Sequence, residues 1–205
     1  MATNLDTEQT SETSDRRFVV GLGNPGRKYA KTRHNVGFMV LEVLQNRWAL
    51  GAGKDSFEGL VWNHRPGRAQ GRSAVLLAPM TYMNCSGRSA RKLLDFYKAP
   101  PSEMLVVLDD LALPLGRLRI RPGGSAGGHN GLEDILRACG TDDVPRLRIG
   151  IGQAPGVMDP KDYVLGKFGK DEIEDIGCAI QRSADAVEDW LFDDITTVME
   201  RYNRA

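Results

Sequence analysis

The sequence is poor in the residues that build metal centres and disulfide frameworks. Its 205 residues include only three cysteines and three histidines. Cys85, Cys139 and Cys178 are widely separated, and no CxxC or Cys/His cluster joins them. That spacing excludes a disulfide scaffold, leads us to expect no metal, and points to a reducing compartment. Long apolar runs are also missing, since no window approaches the roughly 18 residues of a membrane span. The opening MATNLDTEQTSETSD has no apolar core and no Lys or Arg, which fits neither a secretory signal nor an Arg-rich transit peptide. It reads as a disordered acidic tail over 1–16, followed by a single domain over 17–205. A cytoplasmic location with no membrane partner is the expectation.

Net charge is absent too, but the zero balance hides a division. The first 15 residues hold 4 acids and no base, and residues 170–205 hold 10 acids against 4 bases. Residues 16–169 therefore carry 13 acids against 23 bases, mostly arginine. Such a middle segment suits a phosphate-bearing partner, and equally an ordinary solvated surface.

Strand-like apolar runs occupy 18–23, 73–79, 104–110, 117–122 and 146–152, with a weaker one at 57–64. Helical spacing appears at 36–50, where Val36, Met39, Val40, Val43, Leu44 and Trp48 share a face, and again at 86–98, 131–139 and 171–194. Strands interleaved with helices predict an α/β domain with a mixed, twisted central sheet flanked by helices.

In FVVGLGNPGRKY, Gly21, Gly23 and Gly26 match the G-x-G-x-x-G of a dinucleotide-binding turn. The context fails that reading. Pro25 makes a turn, the next residues carry no helical apolar face, and the acid at the required distance, Glu42, lies mid-helix. What remains is a tight turn presenting Asn24. Other polar residues also follow strand-like runs, where open α/β sheets build their sites. Met83 and Asn84 follow the second run, Asp109 and Asp110 end the third, and His129 and Asn130 close the glycine-rich PGGSAGGHNG.

His34 is the strongest candidate for chemistry. It stands at the start of a helix, whose positive end favours a neutral imidazole able to take a proton from water. An aspartate at a strand end, Asp109 or Asp110, is placed to orient its ring. A capping histidine is the alternative reading. No G-x-S-x-G elbow occurs, and Ser86 reads as a helix N-cap, so water activation fits better than a covalent nucleophile. Arg117, Arg119 and Arg121 alternate along one run, as do Arg146 and Arg148; such stripes suit phosphate recognition or a charged edge strand alike.

Taken together, GLGNPGRKYAKTRHNVG, PMTYMNCSG, DDLALPLG, RPGGSAGGHNGL and RLRIGIG resemble, in order and spacing, the bacterial-type peptidyl-tRNA hydrolase family. The resemblance covers roughly residues 17–200. It implies a single-domain phosphorylase/hydrolase-like fold, a monomer without cofactor or metal, and cleavage of the ester joining a peptide to the 3′ ribose of tRNA. Carried over, it implies that His34 activates water, Asp109 orients its ring, and Asn24 holds substrate or water. Tyr29, Met83, Asn84 and Asn130 would line the channel, His129 would anchor its loop, and Arg121 with Arg148 would clamp the tRNA 5′-phosphate. Two departures stand out: Ala112 replaces a second acid after Asp109, and Ser125-Ala126 replace a Gly-His pair of some members. A non-catalytic relative acting as an organellar RNA-splicing factor stays open at this stage, as does the disfavoured nucleotide-dependent oxidoreductase.

Overall fold

The structure, a computed structural model, describes residues 16–66 and 71–204. The acidic tail expected over 1–16 lies outside the described residues, except for Arg16, which is the first residue of β1. Seven strands form one sheet: β1 (Arg16–Gly21), β2 (Lys54–Ser56), β3 (Gly59–His64), β4 (Ser73–Pro79), β5 (Met104–Asp110), β6 (Leu118–Arg121) and β7 (Arg146–Gly150). Their order is β2-β3-β4-β1-β5-β7-β6. The central four, β4-β1-β5-β7, are parallel, while β2, β3 and β6 join antiparallel. The expected mixed sheet is the one observed.

The central strands are apolar through their middles because helices cover both faces, with polar and charged residues at the strand ends and on β7. Alternate side chains of β1 enter different cores. Phe18 and Val20 pack with Val106, Leu108 and residues of α2 (Ser86–Tyr97) and α3 (Asn130–Cys139). Val19 packs on the opposite face, with α1 (Val36–Arg47) and α5 (Ile173–Phe192). Two further helices escape the periodicity. In α4 (Pro160–Val164) there are too few residues to show a face, and α6 (Ile195–Tyr202) directly follows α5. Asp194 separates the latter pair by accepting from the Thr196 and Thr197 amides at 2.8 and 3.0 Å. The single helix expected over 171–194 is thus the first of two.

All four parallel strands end on the same edge of the sheet, and one close contact brings the start of α1 onto it. A Cβ on Gly37 would lie 2.4 Å from the Leu22 amide nitrogen and 2.5 Å from the Val107 carbonyl oxygen. A Cβ on Gly21 would lie 2.5 Å from the Gly37 carbonyl. The first glycine of the fingerprint therefore serves helix–strand approach rather than a phosphate. Gly26, the third, turns the chain with a φ of 105°.

Since backbone atoms, not flexible side chains, meet the added methyl, Gly37→Ala is expected to destabilise the protein by at least about 1–3 kcal/mol. Gly177→Ala, in α5 with open space around it, is expected to be neutral or stabilising by up to about 1 kcal/mol. Urea unfolding of both variants measures the contrast.

Candidate active site

His34 sits in the short turn Arg33–Asn35 that leads into α1. The turn is fastened from outside the sheet. Arg33 is buried, donates to the Lys167 carbonyl at 2.6 Å and to Glu172 at 2.7 Å, and stacks on the rings of Tyr163 and Phe168. Nothing in the sequence pattern marks Arg33 for this role, because its partners lie 130 or more residues away.

Asp109, at the end of β5, is 3% exposed and receives both active-region histidines on one oxygen. His34 Nδ1 lies 2.8 Å and His129 Nε2 3.0 Å from its Oδ1. The hydrogen bonds assign the tautomers. The Leu132 amide donates to His129 Nδ1 at 3.2 Å, capping α3, so neutral His129 carries its proton on Nε2 and donates it to Asp109. His34 must donate from Nδ1, which leaves its Nε2 lone pair toward the cleft that His34 lines. Burial alone would raise the Asp109 carboxyl. His129 and His34 outweigh it and hold the group well below the ordinary carboxylate range.

The ligating atoms of His34, Asp109 and His129 lie within 4.8 Å of one another, close enough in principle for a cation. The nitrogens facing the carboxylate are N–H donors already bound to it, so a metal would have to displace both protons. The donor set therefore fits a hydrogen-bonded triad better than a metal centre.

Asn24 is held from three sides. The Asn35 side chain accepts from the Asn24 amide and donates to its carbonyl, both at 2.9 Å. The Met83 amide donates to Asn24 Oδ1 at 2.9 Å. That last bond fixes the flip of the Asn24 amide and leaves its Nδ2 donor for the cleft. Asn35 escaped sequence reasoning, although it adjoins His34; only the folded turn shows it gripping a residue 11 positions earlier.

A cleft of about 700 Å³ gathers Asn24, Tyr29, His34, Met83, Asn84, Asp109, His129, Asn130 and Arg148. Arg121 does not line it. It is exposed on β6, beside Arg117 and Arg119 in a separate hollow. The arginine stripe is also less uniform than its spacing predicts. Arg146 is buried and donates to the carbonyls of Gly124 and Ser125 at 2.6 and 3.1 Å, laying the glycine-rich loop along β7. Arg117 donates to the Asn203 carbonyl at 2.7 Å. Arg148 pairs with Asp110 at 2.5 Å and stands beside Gly127 of the same loop. Ser86 is not a cap: it is the first residue of α2, and its hydroxyl donates to the Met83 carbonyl at 2.9 Å.

Comparison with known proteins adds independent information. The family model described as peptidyl-tRNA hydrolase matches residues 18–205. A protein named peptidyl-tRNA hydrolase from Rhodopirellula baltica is 49% identical over 189 residues, covering 92% of this chain and 98% of its own. One of the same name from Bacillus thuringiensis subsp. konkukian is 43% identical over 187 residues, covering 91% and 99%. The crystal structure of peptidyl-tRNA hydrolase from Acinetobacter baumannii superposes with a TM-score of 0.85 at 35% identity, covering 94% and 96% of the two chains.

Two histidines in opposite tautomers on one carboxylate have a direct spectroscopic signature. At a pH where both rings are neutral, nitrogen NMR is expected to show a pyridine-like Nε2 for His34 and a pyridine-like Nδ1 for His129. Asp109→Asn is expected to abolish the fixed tautomer of His34, while His129 keeps its Nδ1 acceptor at the helix cap.

Proposed function

The chain belongs to the peptidyl-tRNA hydrolase family, and on that premise we propose that its cleft hydrolyses the ester between peptide and tRNA with His34 as general base. The supporting observation is the free Nε2 of a ring whose other nitrogen is committed to Asp109. A water on Nε2 loses its proton to the ring as its oxygen attacks the ester carbonyl. Asp109 stays ionised and stabilises the imidazolium that forms. Amide donors meet the developing oxyanion: the Asn24 Nδ2, with Asn84 and Asn130 on the cleft wall. The proton on His34 then passes to the leaving ribose oxygen, releasing tRNA and a free peptide carboxylate. No covalent intermediate is needed.

Tyr29 and Met83 shape the walls around the scissile group, and His129 holds the glycine-rich loop to Asp109. The RNA lies toward β7 and β6, where Arg148 and the exposed Arg121 supply charge for the tRNA 5′-phosphate. The enzyme acts as a cytoplasmic monomer that returns tRNA from aborted translation.

Purified protein is expected to release the acyl group from N-acetyl-aminoacyl-tRNA, with turnover unchanged by EDTA. His34→Ala is expected to lower kcat by about 10²–10⁴-fold while tRNA binding persists. Wild-type protein that binds tRNA and hydrolyses nothing would instead support a non-catalytic RNA-binding role. For the arginines, Arg121→Ala and Arg148→Ala are expected to raise KM in a salt-dependent manner. A fall in kcat at unchanged KM would remove them from phosphate binding.

A further inference from the structure

The edge of the sheet farthest from β2 is the short strand β6, whose one strand neighbour is β7. In an antiparallel pair only every second residue exchanges its N–H and C=O with the partner strand, so the other main-chain groups of an edge strand face outward. On β6 those of Ile120 are taken by a side chain. The Ile120 amide donates to Asn203 Oδ1 at 2.6 Å, and Asn203 Nδ2 donates back to the Ile120 carbonyl at 3.0 Å. The Asn203 carboxamide stands where a further strand would present a peptide group.

Every polar group of Asn203 is engaged. It follows α6, whose last turn it closes by donating its own amide to the Met199 carbonyl at 3.0 Å. Its carbonyl accepts from Arg117 Nη2 at 2.7 Å, just before β6 begins. The helix that carries it rests on the same core as β6: Val198 is buried in the cluster that holds Leu118 and Ile120, with Met199 and Tyr202 packed against it. Asn203 is therefore a clamp on β6.

What the clamp works against is charge. Successive side chains of a strand point to opposite faces, so Ile120 enters the core while Arg119 and Arg121 are exposed on the other face. Across the strand pair Arg119 stands opposite Arg148, and Arg121 opposite Arg146. Like charges directly opposite one another destabilise a sheet. Arg148 pairs with Asp110, and Arg146 is committed to loop carbonyls. Among the described residues, Arg119 and Arg121 have no ion-pair partner of their own. A short edge strand with ladder bonds on one side and this repulsion along its face tends to peel from β7. The two bonds to Ile120, placed between the two arginines, oppose that.

We propose that Asn203 is a positioning residue for the RNA: it holds β6 against β7, so that Arg119 and Arg121 stay in line with Arg148 and meet the polyanionic part of the substrate together. This rests on the peptidyl-tRNA reading above. Both polar atoms of the Asn203 side chain are bound to Ile120, so its influence on the RNA passes through the strand. The chemistry at His34, which takes its geometry from α1 and β5, does not draw on it.

The test compares N-acetyl-aminoacyl-tRNA with N-acetyl-aminoacyl-adenosine, which keeps the ester and lacks the RNA body. The variant is Asn203→Leu, which keeps the size of the side chain and removes both bonds. KM for the tRNA substrate is expected to rise roughly threefold to tenfold at unchanged kcat, the range of a lost hydrogen bond. Its kcat/KM for the adenosine ester is expected to stay at the wild-type value, which also reports that the variant is folded. Asn203→Gln, which keeps the carboxamide, is expected to fall between wild type and Asn203→Leu. In an Arg119→Ala/Arg121→Ala background, Asn203→Leu is expected to add nothing, because the groups it positions are gone. Equal losses on both substrates, no effect on either, or a full effect that persists without the arginines would overturn the role. An Arg119→Ala/Arg121→Ala protein with wild-type KM would remove β6 from RNA binding, and the role of Asn203 with it. A wild-type protein that cleaves neither substrate would overturn the hydrolase reading itself, a distinct result.

Discussion

One carboxylate oxygen organises this molecule. Asp109 Oδ1 accepts from His34 and from His129, and each of those rings ends a different segment of chain. A hydrogen bond to an ionised group contributes roughly 1.5–3 kcal/mol, whereas burying a carboxylate costs several kcal/mol. Two donors are therefore needed to keep Asp109 ionised at the closed end of β5. The same pair gives the His34 ring its tautomer and ties the glycine-rich loop to the cleft. Stability of the buried charge and the tautomer of His34 rest on the same interaction.

The rest of the architecture serves to bring those three groups together. Gly21 and Gly37 let α1 rest on strand backbone, so that the Arg33–Asn35 turn reaches the carboxyl edge of the sheet. Asn35 secures the β1 loop, Asn24 secures the β4 loop through Met83, and Arg33 binds the turn to the segment before α5. Arg146 does comparable work for the glycine-rich loop, spending its charge on carbonyls rather than on a ligand. A basic stripe in sequence thus divides into a structural arginine, a cleft arginine paired with Asp110, an arginine tied to the Asn203 carbonyl, and two exposed on β6.

The polarity of the cleft follows from strand order. Parallel strands deliver their carboxyl ends to one line, with basic residues at the β7 and β6 side and an apolar, mildly acidic cavity at the β3 and β4 side.

Much of this was legible in the chain. Apolar runs and helical faces announced the α/β fold, since both faces of the central strands are covered and each helix buries one side. Polar residues stranded at the ends of those runs announced the site: Asn24, His34, Asp109 and Asn130 all meet in one cleft. What the sequence left open was set by contacts between distant segments. The choice of Asp109 over Asp110 as partner of His34, the tautomers, the grip of Asn35 and Arg33, and the burial of Arg146 depend on register and strand order. Periodicity records which side of an element faces inward; only the folded sheet decides which inward-facing groups share an oxygen.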